Sequence, residues 1–158
     1  MLDLSGEELY SYRQVWHNYY QSMFTHWQDI VSYKANSYIH WAAGRAAAIA
    51  LVPLPLADVA PLIANESYMI YKLAGVYGIA VNETIKTMLL GCAGGSIAGK
   101  LAASFLPFLK VPIAAGITYG VGKAAKAYFE SNMTLNSHEL KTAYLAGERE
   151  AQKIDWRN

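Results

Sequence analysis

Leu9, Tyr12, Trp16, Tyr19, Met23, Trp27 and Ile30 recur at spacings of three and four, while Arg13, Gln14, Asn18, Gln21, Gln28 and Asp29 take the opposite positions. Residues so spaced share one face of a helix, so the segment reads as a long amphipathic helix. Tyr20, Phe24 and Val31 widen its apolar side, and Ser5 with Glu8 supplies a capping-box start. Trp41 to Leu51 continues as an alanine-rich helix. Pro53-Leu54-Pro55 must end it, because each ring removes a donor and disfavours helix in the residue before it. Asp58 caps a second helix from about Val59 to Tyr77, with Pro61 tolerated in its first turn and Gly78 as its stop. Asn82 and Glu83 open a third, which Pro107 bends or closes. Pro112 starts a fourth, ending near Ser131, and Asn136 with Glu139 caps a last, charged helix through about Ile154. No run alternates with period two, so the expected fold is all-α.

The expected architecture is a multi-helical bundle with a long aromatic amphipathic N-terminal helix and a glycine-zipper helical hairpin. One domain of 158 residues accommodates it, with a core large enough to fold without staples. Within it, 1–41 is the amphipathic helix, 42–130 the apolar core and 131–158 the charged final helix. Gly91, Gly95 and Gly99 fall four apart, as do Gly116 and Gly120, and such spacing lets two helix backbones approach closely. Pairing of the two sets within the chain, or between copies in a homo-oligomer, would use these positions.

Charge adds a second expectation. Lys86, Lys100, Lys110, Lys123 and Lys126 lie between Glu83 and Glu130 with no acid among them, a pattern suited to anionic lipid headgroups. Trp16, Tyr20, Trp27 and Trp41 suit either the headgroup level of a membrane or a partner helix. Uncharged runs end short of the eighteen or so residues of a confident spanning helix: Ala46 to Ala57, Thr87 to Gly99 and Val111 to Gly122. If Lys100 snorkels or faces a partner helix, Thr87 to Leu109 is long enough to cross or to form half of a re-entrant hairpin with Val111 to Phe129. The alternative is a set of buried helices in a soluble bundle.

Catalytic chemistry finds little support. Cys92, the lone cysteine, sits among small and apolar residues and reads as an inert buried thiol. His17, His26, His40 and His138 show no metal-ligand spacing. No nucleophile with a base, no metal and no cofactor is indicated, and an enzyme is not expected. Asp58 and Glu66, the acids between Asp29 and Glu83, are candidates for buried acids, and eight residues would place them on a shared helical face. Beside Lys72 or Lys100 they could pass ions or protons, or Asp58 could cap a helix while Glu66 pairs with a lysine or stays solvated. The net charge of +1 argues against nucleic acid. The acidic Met1 to Glu8 lacks the features of a signal peptide.

Pro53-Leu54-Pro55-Leu56-Ala57-Asp58, Tyr68-Met69-Ile70, Tyr77-Gly78-Ile79, Lys110-Val111-Pro112 and the run Thr118 to Phe129 together resemble the bacterial YcjF-like family of unknown function, over about residues 42–130. The resemblance implies a membrane protein fused to, or encoded beside, a GTPase. This chain lacks a phosphate loop of its own, since Gly94-Gly95-Ser96-Ile97-Ala98-Gly99-Lys100-Leu101 has no hydroxyl after the lysine. A GTPase would therefore be a separate partner. The resulting expectation is a non-enzymatic module at the cytoplasmic face of a membrane that anchors or assists that partner. A soluble cytoplasmic bundle that self-assembles or binds proteins, and a pore-forming or ion-conducting hairpin, are the alternatives.

Overall fold

The computed structural model describes residues 6–52, 59–93 and 107–156. Among them are five helices and no strand, the all-α architecture expected from the periodicity. They are α1 (Gly6–Ala50), α2 (Val59–Val76), α3 (Glu83–Gly91), α4 (Pro107–Glu130) and α5 (Ser137–Ala151). The chain divides into two units, Met1–Lys34 and Ala35–Asn158. Ser5, Pro53 to Asp58, and the stretch holding Gly95, Gly99 and Lys100 lie outside the described residues.

In the second unit α4 is the hub. Nearly every residue from Ala114 to Gly122 is buried, as expected of a helix that has small or apolar residues on all sides. Its most extensive partner is α5, with α2 and α3 packed alongside. The end of α1 and α2 form an antiparallel pair. The Asn65 side-chain amide donates to the Ala42 carbonyl at 2.8 Å, and Ile39 and Met69 both meet Gly122 of α4. Ala35, Ala42, Ala43, Ala46 and Ala47 are buried, so the alanine-rich stretch allows close approach of α1 to the core.

The helix ends show why the elements stop where they do. At the end of α2 the Ile79 amide donates to the Ala74 carbonyl at 2.8 Å and the Gly78 amide to Gly75 at 3.3 Å, with Gly78 at φ 68°. This is a Schellman motif, closed by half-buried Ile79 against the core. Asn82 caps α3 by accepting from the Ile85 amide, and Asn136 with Glu139 forms a full capping box on α5. One expectation is corrected: α4 begins at Pro107, and Pro112 lies inside it instead of starting it. Pro107 fits the first helical position, where its missing N–H bonds nothing. Pro112 falls in the second turn and removes a single ladder bond.

After α4 the Met133 amide donates to the Tyr128 carbonyl at 2.8 Å, with Asn132 at φ 55° and Met133 at φ 62°. Asn tolerates this left-handed region, but an exposed Met has no side-chain reason to be there. Met133→Gly is expected to raise stability by about 0.5–1 kcal/mol in urea unfolding, the relief of strain exceeding glycine's entropic cost.

Candidate functional site

Leu62, Glu66, Met69, Ile70 and Leu73 form the inward stripe of α2. Glu66 thus stands where the helical period demands an apolar side chain, and it is 1% exposed. Thr118 of α4 donates its hydroxyl to Glu66 Oε1 at 3.1 Å. Oε2 is buried and has no hydrogen-bond partner among the described residues. Burial raises the carboxyl from 4.5 to about 7, against the smaller lowering effect of the Thr118 bond.

Two other buried groups feel this carboxyl. Cys92, at the end of α3, donates its thiol to the Leu89 carbonyl at 2.7 Å. Burial first, and then the Glu66 charge, push that thiol up to about 12. Tyr144 of α5 is fully buried, its hydroxyl donates to Glu148 at 3.3 Å, and burial drives its ionisation upward. Lys141 Nζ donates to the Cys92 carbonyl at 3.3 Å, which ties α5 to the end of α3. The arrangement is a polar knot where four helices meet. It holds a proton well but presents no activated nucleophile, since the thiol is far from ionised at neutral pH. No group of three His, Cys, Asp or Glu able to hold a metal occurs among the described residues.

Of the two acids of the sequence reading, the structure describes Glu66 alone. Asp58 lies outside the described residues, and Glu66 is turned into the core while Lys72 sits over the exposed Tyr68 ring. The reading of Glu66 as solvated or lysine-paired is therefore corrected: the stripe of α2 buries it and Thr118 takes the place of a lysine.

The lysines are corrected as well, because three of them have counter-charges: two from the acids that bound the segment, one turn away, and one from a residue distant in sequence. Lys86 pairs with Glu83 at 2.5 Å, Lys126 with Glu130 at 3.0 Å and Lys123 with Glu150 of α5 at 3.3 Å. Each acid also accepts a tyrosine hydroxyl: Tyr71 on Glu83, Tyr77 on Glu130 and Tyr119 on Glu150. These Tyr–Glu–Lys triads neutralise the cations in place. Lys110 is half-buried near the start of α4, and Lys100 is outside the described residues.

Close backbone approach occurs at glycines the zipper reading only partly covers. A Cβ on Gly120 would stand 2.8 Å from the Tyr144 ring, and one on Gly147 would stand 2.8 Å from Lys123 Cβ and 3.0 Å from Gly120 Cα. The crossing is therefore α4 on α5. Gly116 makes ordinary contact with Glu148, and Gly91 has no described atom within 4 Å of its Cβ position. Gly122, against Ile39 and Met69, is a further close position. Gly147 was hidden because it stands alone in a charged helix.

In the first unit, large apolar side chains face outward on every turn. Trp16 is 56% exposed, Tyr20 62% and Trp27 62%, and the Trp16 and Tyr20 rings lie 5.9 Å apart. Ser11, Gln14, Asn18, Gln21, Thr25, Gln28 and Ser32, alternately three and four apart, form one uncharged polar stripe. Around it runs a broad aromatic face. Trp41, in the second unit, is 68% exposed. No described helix is long and apolar enough to cross a membrane.

The sequence matches no protein-family model, and no solved structure matches it. It is similar to "Magnetosome membrane protein 22" of Magnetospirillum gryphiswaldense, with 28% identity over 102 residues, 54% of this chain and 52% of that protein. The match thus spans about half the length of the curated relative.

Proposed function

We propose that this chain is a membrane-associated helical module, without catalysis of its own, that holds a partner protein at a membrane face. The observation that carries the reading is the exposed aromatic face between Tyr10 and Tyr33 on α1. Tyr and Trp side chains have a free-energy minimum at the headgroup level, and an uncharged polar stripe on the opposite side suits the aqueous boundary. The similarity to a magnetosome membrane protein agrees with it. The resemblance to the YcjF-like family implies that the partner is a separate GTPase at the cytoplasmic face.

With Lys86, Lys123 and Lys126 already paired, aromatic burial supplies the main attraction. The full-length chain is expected to float with phosphatidylcholine vesicles at both low and high salt. Trp16→Ala with Trp27→Ala should reduce binding more than tenfold, since each buried indole contributes well over 1 kcal/mol. A chain that stays at the bottom of the gradient at every salt concentration overturns membrane association. A candidate GTPase whose turnover and membrane recruitment ignore the chain removes the partner assignment.

A second reading has one observation in its favour. Leu9, Trp16, Met23 and Ile30 repeat every seven residues, with Tyr12, Tyr19, His26 and Tyr33 between them, the period of a two-helix coil. Concentration-dependent dimerisation in the absence of lipid, lost in the double tryptophan variant, would favour self-association over membrane contact.

A further inference from the structure

The antiparallel pair of α1 and α2 presents an exposed aromatic surface with two cations on it. Tyr68 is 52% exposed, Arg45 Cζ lies 5.6 Å from its ring centroid and Lys72 Nζ lies 5.4 Å from the same point. The two positive groups are therefore no more than about 11 Å apart, close to one Debye length at physiological salt. Among the described residues no acid pairs with either. Arg45 spends its Nε–H on the Asn65 side-chain oxygen at 2.9 Å, and Glu66, the acid within α2, points into the core. This contrasts with the triads elsewhere, where each lysine has its glutamate. Trp41, one turn before Arg45 on α1, extends the surface with exposed apolar area.

Building on the membrane reading above, we propose that Trp41, Arg45, Tyr68 and Lys72 form the face of the folded second unit that docks on anionic phospholipid headgroups. Charge complementarity selects the occupant. Two cations without an acid partner among the described residues, held over one aromatic ring, gain from phosphate oxygens, and the flanking indole and phenol rings suit the headgroup level.

The test is flotation of the full chain with vesicles of phosphatidylcholine alone and of phosphatidylcholine mixed with phosphatidylglycerol, at low salt. The wild-type chain should prefer the mixed vesicles. Lys72→Gln, which breaks no described hydrogen bond, should weaken binding to them about fivefold, and the pair Arg45→Gln with Lys72→Gln about twentyfold. Binding to pure phosphatidylcholine should not change. Arg45→Lys keeps the charge while losing the bond to Asn65, so it should retain the preference if charge is the cause. Lys123→Gln, already paired with Glu150, should have no effect. Equal binding of wild type to both vesicle types, or a double variant that keeps the preference, overturns the docking face and leaves the membrane reading standing. Binding to neither vesicle overturns both.

Discussion

Glu66→Gln is expected to stabilise the fold at pH 8 by about 2 kcal/mol and to flatten its response to pH. In the native state the carboxyl titrates at about 7, against 4.5 in the unfolded chain. Below about pH 4.5 both states hold the proton, and the residue costs little. Between these values the unfolded chain ionises while the native chain does not, so stability falls as pH rises. Above pH 7 the cost is complete, at about 3 kcal/mol. Glutamine keeps an oxygen for the Thr118 hydroxyl, but its amide N–H groups replace an oxygen that has no partner among the described residues, which returns part of the gain. Urea unfolding from pH 4 to 8 measures the effect. If the two stability curves run parallel across this interval, burial does not control this carboxyl.

Gly120→Ala is expected to lower stability by about 3 kcal/mol, or roughly 6–12 °C in Tm for a chain of this size. The new methyl would stand 2.8 Å from the Tyr144 ring and 2.9 Å from its carbonyl oxygen. A side chain could swing aside, but the carbonyl belongs to the backbone of α5. Relief would require the two helices to separate, and their contact is the most extensive in the second unit. Gly91→Ala is the matched control, because the same methyl there meets no described atom within 4 Å. Because Gly91 is the last residue of α3, the variant should gain no more than about 0.5 kcal/mol from helix propensity. Comparable losses at both positions would show that the crossing of α4 and α5 is not the cause.

Local signals were legible in the sequence where they were complete within a few residues. Asn136 with Glu139, Asn82 before Glu83, and Gly78 after Val76 each carry their own hydrogen-bonding logic, and each marks a helix end. Pro112 misled because proline is tolerated both at a helix start and, at the loss of one bond, in an early turn. The pairing of Lys123 with Glu150 could not be read, since it joins residues of α4 and α5 that become neighbours only on packing. The same holds for Thr118 beneath Glu66 and for Gly147 against Gly120. The burial of Glu66 was readable in principle, because Leu62, Met69 and Leu73 define its face.

The only sulfhydryl of the chain is buried and donates to the Leu89 carbonyl, while the carbonyl of its own residue accepts from Lys141. A thiol held near 12 has almost no thiolate at neutral pH, and this one is buried at the end of α3. An alkylating dye therefore reacts only during moments of opening, at one atom per molecule. The labelling rate counts those excursions, giving the protein an intrinsic clock for its own breathing that needs no engineered probe.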